Sequence, residues 1–417
     1  MGAPGQDAKV PVMKLNIGIA GAGIGGLAAA ALLAGDGHTV TVFDQFDAPR
    51  PVGSGLVIQP VGLDVLRACG AAAEVDLRGT PIQHMFGDEA DSGKTVLSVS
   101  YGKTQDRQGL GIHRAALFTA LHDAALRAGA QIVPSSPVAG RDGQCLWING
   151  TQTGPFDLII DALGAGSALS PLSARPLPYG AVWATVPWPE SAPFAQTRLT
   201  QRYRKASRML GVLPVGTMAD APQSPLAAIF YSLPVGEIEA HVARPFADWR
   251  AEATRLWPEF SAYLPDSLGH RDFTPARYTH GSLRRPYGEG IVHIGDAAHR
   301  ASPQLGQGAN MALLDARALQ LAMRRDRGEE ALRAYASARR YHVMLYQAFS
   351  AAFTPQYQSD STALPLLRDR VLAPLSQTWP LPRVLTRLVC GDLVPTMASL
   401  TPRGRRDRGV LEGLTKG

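Results

Sequence analysis

Cysteine is scarce in this chain: of 417 residues, only Cys69, Cys145 and Cys390 are cysteines. They are far apart and odd in number. There is no CxxC pair and no Cys/His cluster with metal-ligand spacing, so neither a disulfide framework nor a metal site is expected. Reduced thiols in a cytoplasmic protein are the simplest reading. Long hydrophobic runs are missing too, since no stretch reaches the roughly 18 apolar residues that a transmembrane helix needs. Charge of one sign is thin, a net +6 without a lysine-rich run, which argues against a nucleic-acid-binding surface. Residues 1–12 lack the basic-then-apolar layout of a signal peptide and read as a flexible lead-in. There is no Ser-His-Asp layout, no P-loop, no internal repeat and no low-complexity tract.

What is present is an ordinary globular composition, 45% hydrophobic and 18% charged, in a chain too long for one core. Leu15 to Ala20 reads as a short buried strand. A glycine cluster follows, then an alanine- and leucine-rich helix from Gly25 to Ala34 and a β-branched strand from Thr39 to Asp44. This strand–turn–helix–strand unit opens a dinucleotide-binding fold. Its turn, Gly21-Ala22-Gly23-Ile24-Gly25-Gly26, is a GxGxxG pattern. Gly21 permits the tight turn, Gly23 admits a pyrophosphate to the backbone, and Gly26 lets helix and strand pack closely. The helix start at Ile24 faces the phosphates with free N–H groups. Asp44, followed by Gln45, closes the second strand about 20 residues on, where an acid accepts hydrogen bonds from a ribose.

Further along, a glycine-rich loop runs from Arg50 to Gly55. Helices are expected at Val61–Cys69 and Arg114–Ala128, and strands at Gln131–Val133 and Phe156–Asp161. Between about 177 and 283, strands such as Ala181–Val186, Met209–Val215 and Leu226–Leu233, with one helix over Phe246–Tyr263, suggest a mostly antiparallel sheet. An apolar strand, Gly290–Gly295, precedes a long helix that runs from just after Gly306 to about Arg325. Helices interrupted by prolines follow from about Ala331. The expected architecture is α/β: a discontinuous Rossmann-like domain (13–80, 106–175, 284–330), a second, mostly antiparallel β-sheet domain (81–105, 176–283) and a helical C-terminal region (331–417).

A second motif separates flavin from nicotinamide dinucleotides. It reads Gly295-Asp296-Ala297-Ala298-His299, then Pro303, then Gly306-Gln307-Gly308-Ala309-Asn310. An Asp at a strand end can accept hydrogen bonds from a sugar-alcohol chain. A Gly-Gln-Gly turn that opens a helix presents N–H groups and a positive dipole end to an electron-rich ring edge. The run GDAAHRASPQLGQGAN resembles the second FAD-binding motif of the class A flavin monooxygenases, the para-hydroxybenzoate hydroxylase-like family. Together with the Gly21–Gly26 loop it covers both ends of the nucleotide-binding domain.

The resemblance implies a glutathione-reductase-like FAD domain joined to a substrate domain. It implies that Asp44 binds the adenosine ribose, that Arg114 lies near the FAD phosphates or ribityl chain, and that Gly295 and Asp296 hold the ribityl hydroxyls. Pro303 is then the loop residue beside the flavin where O2 reacts, and Gly306 to Asn310 hold the isoalloxazine. The Arg50–Gly55 loop passes near the ring. His299 is a candidate proton relay, although the motif itself brings this histidine. The activity implied is NADH- or NADPH-dependent insertion of one oxygen atom from O2 into a small, usually aromatic substrate through a flavin C4a-hydroperoxide. Trp183, Tyr203 and Tyr231, on strands of the second domain, are candidate substrate-pocket walls. A third family motif departs from type: where relatives carry an Asp implicated in FAD and NAD(P)H binding, this chain has Leu163, and no Arg follows Ser167 at the expected distance. The alternatives are an FAD-dependent oxidase or reductase without oxygen transfer, or a flavoprotein that only binds. A monomer or homodimer is expected.

Overall fold

The computed structural model describes residues 14–47, 54–102, 107–397 and 400. The lead-in 1–12 and Arg50 lie outside the described residues. The chain opens with β1 (Asn16–Ala20), α1 (Ile24–Gly35) and β2 (Thr39–Phe43). β1 is the centre of a six-stranded sheet, with β2 and Gln131–Val133 on one side and Leu158–Asp161, Ile291–His293 and Tyr287–Gly288 on the other. All pairs are parallel except the edge strand Tyr287–Gly288. Parallel strands need crossover helices that cover both faces, and strands buried on both faces read as continuous apolar runs. Ile17, Ile19, Val40, Val42 and Ile160, each 2% exposed or less, fit that requirement.

α1 is buried around nearly its whole circumference, from Gly25 to Ala34. It lies between the helices Arg114–Arg127 and Gly308–Arg325, and this explains its alanine content: three elements meet where only small side chains fit. The helix Gly308–Arg325 packs in turn on a 30-residue helix, Gly328–Tyr357. Proline-interrupted helices were expected over the tail; a single long helix precedes them, because Pro355 falls in its last turn. The short pieces Ala363–Leu367, Ala373–Ser376 and Leu381–Cys390 follow.

The second large sheet has eight strands in the order His299–Arg300, Thr274–Ser282, Arg175–Pro187, Leu226–Pro234, Arg208–Pro214, Arg198–Arg204, His84–Glu89, Thr95–Ser100. It is antiparallel except where Arg198–Arg204 runs alongside His84–Glu89. Two three-stranded antiparallel sheets complete the fold: Gly55–Ile58, Gly109–His113 and Thr80–Ile82 form one, and Val138–Asp142, Cys145–Ile148 and Thr151–Thr153 form the other. The helix expected over Phe246–Tyr263 is broken. It ends at Leu256, and Trp257 takes an extended φ of −149°, because Pro258 crowds the helical conformation of the residue before it.

Leu319 is fully buried in the cluster shared by α1 and the Gly308–Arg325 helix. Leu319→Ala is expected to cost about 2–5 kcal/mol of stability by opening a cavity there. Urea unfolding checks this: the midpoint should fall with an unchanged denaturant slope.

Candidate functional site

A single cleft of about 1310 Å³ runs from the glycine turn after β1, past the Gly295–Ala309 motif, to one face of the eight-stranded sheet. Simple ligand pockets occupy roughly 300–1,000 Å³, so this cleft has room for a dinucleotide and a second molecule.

At the nucleotide end, each glycine has a separate reason. Gly21 sits at φ +101°, and a Cβ there would meet the Ala162 carbonyl oxygen at 2.5 Å. At Gly26 a Cβ would lie 2.0 Å from the Gly21 oxygen, so this residue is required by packing and does not line the cleft. Gly23 differs: its Cβ would meet nothing of the protein closer than 3.9 Å. Gly23 faces the cleft, as do Ile24 and Gln45, and its missing side chain leaves room for a ligand rather than for the fold. Asp44 holds the turn in place, with Oδ2 accepting from Ala22 N–H at 2.6 Å and Oδ1 from Phe46 N–H at 3.0 Å. A carboxylate offers about four acceptor sites, so capacity remains on the cleft side for a ribose.

Arg114 is the first residue of its helix and is exposed to the cleft. The neighbouring His113 is the N-cap, its Nδ1 accepting from Ala115 N–H at 3.2 Å, and burial keeps its pKa low, so the imidazole is neutral. Gly55 lines the cleft, but a Cβ there would strike Val215 at 2.0 Å; packing against the sheet domain alone demands this glycine.

Asp296 opens onto the cleft. Although it is exposed to the cleft, desolvation by the surrounding walls raises its carboxyl above the usual range, opposed by the charges of His299, Arg114 and Arg300. Behind it, Asp315 is fully buried. It accepts from Gly295 N–H (2.9 Å), His299 Nε2 (2.6 Å) and Arg339 Nε (2.7 Å). Burial alone would raise its pKa, but the charges and hydrogen bonds of His299 and Arg339 hold it at about 2. His299 is therefore tied down by its hydrogen bond to Asp315 in the wall of the cleft, which is a positioning geometry rather than that of a free proton relay.

Pro303 lines the cleft and precedes Gly306, which takes the left-handed conformation (φ +61°). Gln307, Gly308 and Ala309 line it as well, at the start of the 18-residue helix. Asn310 does not reach the cleft: its Oδ1 accepts from Gln59 N–H at 2.8 Å, and its Nδ2 donates to the Gly306 and Val57 carbonyls. Its side chain fastens the helix start to the strand Gly55–Ile58.

Sequence reasoning missed Gln59. This residue is fully buried, lines the cleft beside Gly306, and leaves both side-chain amide atoms without a hydrogen-bond partner, although the Tyr101 phenol approaches it. An orphaned buried amide is costly unless a ligand completes it. With the open Cβ position at Gly23 and the free N–H groups at Gly308, it makes the residues present a fit for a flavin dinucleotide.

On the sheet side, Trp183 lines the cleft as expected, whereas Tyr203 and Tyr231 do not. Tyr203 lies on the same face but is covered by Tyr357 and Arg368. Tyr231 points to the opposite face, into the cluster with Trp249, and its hydroxyl donates to Glu252. Both are corrections of the expected pocket walls. The cleft residues that sequence reasoning missed include Gln201, Phe230 and Tyr278. Leu163, at the position where the family resemblance leads to an acid being expected, stands at the cleft wall.

A parallel nucleotide-binding sheet, a glycine turn, a buried-carboxylate motif and a cleft shared with an antiparallel sheet define a flavin-dinucleotide protein. The FAD binding domain family matches residues 14–142 and 261–350, and the chain belongs to this family, that of the class A FAD-dependent monooxygenases related to para-hydroxybenzoate hydroxylase. FAD is its cofactor. The chain is similar to a 3-amino-4-hydroxybenzoate 2-monooxygenase of Streptomyces cremeus, at 29% identity over 347 residues, covering 78% of this chain and 83% of the relative. It is also similar to an FAD-dependent urate hydroxylase of Klebsiella pneumoniae, at 25% over 346 residues, covering 77% and 85%. The solved structure of Klebsiella pneumoniae HpxO complexed with FAD and uric acid shares the fold, with a TM-score of 0.74 at 20% identity over 90% of this chain and 97% of that one.

Because Asp315 is held at about 2, well below the ordinary Asp value of about 3.9, its ionised form stabilises the native state. That stabilisation is fully present above the unfolded pKa and is lost as pH falls through the folded one. Asp315→Asn is expected to lower stability at pH 7 by an amount on the order of 2 kcal/mol. The gap to wild type should shrink between about pH 4 and pH 2 in denaturant titrations.

Proposed function

We propose that this protein is an FAD-dependent monooxygenase that uses NADH or NADPH and O2 to insert one oxygen atom into a small aromatic or heteroaromatic substrate. The observation that carries the reading is the continuity of one cleft from the flavin motif to an aromatic sheet face. A ring held on Trp183 and Phe230 would share the cleft with Pro303 and Gly306. The relatives named above, a hydroxybenzoate monooxygenase and a urate hydroxylase, support oxygen insertion into flat rings over the oxidase and binding-only alternatives.

Bound FAD supplies electron transfer from the nicotinamide and the activation of O2. The chain's own residues do the rest. Gly21 and Gly23 admit the pyrophosphate, Asp44 takes the adenosine ribose, and Arg114 counters the phosphate charge. Asp296 would accept from the ribityl hydroxyls. The helix start at Gly308, with Gln307 and Ala309, would present N–H groups and a positive dipole end to the flavin ring. The Gln59 amide completes its hydrogen bonds there. Pro303 and the apolar sheet face keep water from the reacting atoms.

Asp296→Ala is expected to purify with a sharply reduced flavin-to-protein ratio, read from the absorbance spectrum, and a full complement of FAD would sink the assignment. Gly23→Val should fold with a wild-type unfolding midpoint yet lose FAD, because its side chain meets solvent and ligand rather than protein. The reaction is tested by following NADH and NADPH oxidation in air against a panel of phenols and quinolones, with product masses. Substrate-stimulated oxidation with a gain of one oxygen atom is expected. Oxidation of neither nucleotide by the flavin-loaded protein would refute the proposal and point to Leu163.

A further inference from the structure

The cleft is divided by charge. Among the described residues, its ionisable carboxylates, guanidinium and imidazoles are Asp44, Asp47, Arg114, His122, Asp296 and His299. All six belong to the nucleotide end. The sheet end contributes no carboxylate, guanidinium, ammonium or imidazole.

This is not for want of arginines on those strands. Side chains alternate across a sheet, and Arg198, Arg202, Arg208 and Arg277 all fall on the far face. Arg202 lies over the Trp257 ring at 5.6 Å and Arg198 over Phe194 at 6.0 Å. Arg208 and Arg277 pair with Glu237 and Glu239.

The near face is built as a flat apolar wall. One register row crosses the sheet through Thr274, Trp183, Phe230, Gly211, Gln201 and Gly87. Trp183 and Phe230 lie 4.4 Å apart with a 35° tilt. Gly211 makes this possible, because a Cβ there would sit 1.9 Å from the Phe230 ring.

Two neutral polar groups flank the wall. Gln201 is buried, and its Oε1 accepts from the Tyr203 hydroxyl at 2.8 Å, which fixes the amide orientation. Its Nε2 has only the weak Met209 sulfur, at 3.4 Å, and so offers an N–H to a ligand. On the other side, the Tyr278 hydroxyl accepts from Trp183 Nε1 at 3.2 Å, leaving its own proton to donate. Desolvation pushes that phenol up to about 12, so it stays neutral.

We propose that the sheet end of the cleft selects flat, uncharged aromatic or heteroaromatic molecules bearing an accepting oxygen, with Gln201 and Tyr278 as the donors on either side of the Trp183–Phe230 wall. A carboxylate there would be desolvated without a counter-charge, a cost of several kcal/mol for a buried ion. This deepens the oxygen-insertion reading above and rests on it for what becomes of the ligand, but binding can be read alone.

The test uses the FAD-loaded protein without nicotinamide, titrated with matched pairs: 4-quinolone against its 2-carboxylate, and salicylamide against salicylate. Flavin absorbance reports binding. The neutral member of each pair is expected to bind at least about tenfold more tightly. Gln201→Leu and Tyr278→Phe should each weaken the neutral ligands about three- to tenfold with FAD content unchanged, while the melting temperature falls modestly because Tyr203 and Trp183 each lose an acceptor. Equal or tighter binding of the carboxylates, or binding of no neutral ligand, overturns the proposal. Oxygen transfer is scored separately by product mass: neutral ligands that bind but gain no oxygen would refute the reaction and leave this ligand class standing.

Discussion

The fully buried carboxylate of Asp315 joins the flavin motif to the long C-terminal helix. It takes the Gly295 N–H that bends the strand end into the cleft, the His299 ring that closes the same motif, and the Arg339 guanidinium from the long C-terminal helix. Arg339 then holds the Thr396 carbonyl and the His342 ring, and His342 reaches the Gly391 carbonyl. His342 is pushed down to about 3, by burial first and by Arg339 second, so it acts as a neutral bridge between a guanidinium and a carbonyl. An unpaired charge at this depth would be prohibitive, whereas a carboxylate with three donors is satisfied. The cost is that none of the partners can be removed alone without exposing the others. The flavin motif is thereby braced from behind by the long C-terminal helix, whose later residues Tyr346, Gln347 and Ser350 also line the cleft.

The second constraint is the two-residue period of the strands. The eight-stranded sheet sends its arginines to one face and its aromatic wall to the other, and only the wall meets the flavin motif. Because the period is strict, one shift of register would exchange the faces and carry Arg202 or Arg208 into the cleft. The antiparallel partners on both sides of Leu226–Pro234 pin that register through nine pairs on one side and six on the other. The character of the pocket is thus set by sheet pairing as much as by residue choice.

Local features were legible in the sequence where local physics decides them. The Gly21–Gly26 turn, Asp44 and the Gly295–Ala309 motif are short, contiguous and chemically constrained, and they lie where their pattern places them. Trp183 was legible as a strand aromatic, but Tyr203 and Tyr231 carry the same local signal and face elsewhere. What separates them is non-local: Tyr203 is covered by Tyr357 and Arg368, more than 150 residues away in the chain, and Tyr231 lies one residue out of phase with Phe230. Gln59 was illegible for the same reason. Nothing near it in sequence hints that its amide is buried without partners; only the approach of Gly306 reveals it. Asn310 sits inside the motif and was read with it, yet its hydrogen bonds are consumed in fastening the helix start.

Leu163 is the point at which family pattern and local physics separate. The loop it occupies keeps its shape without an acid there, because Asp161, one strand repeat deeper, does the fastening. Asp161 accepts from Leu163 N–H at 3.2 Å, from Ser167 Oγ at 2.7 Å and pairs with His293 at 2.7 Å. Three of its roughly four acceptor sites are therefore committed, and the residue is wholly buried. Leu163 itself packs beside Val133 and Leu169 against the small apolar cluster around Phe43 and Phe156. The substitution removes one negative charge from the cleft wall while leaving the backbone near Gly21 in place. A wall with fewer carboxylates repels the phosphates of a dinucleotide less, so the missing acid is compatible with holding FAD, and the chemistry it alters is confined to whatever approaches Leu163 from the open side of the cleft.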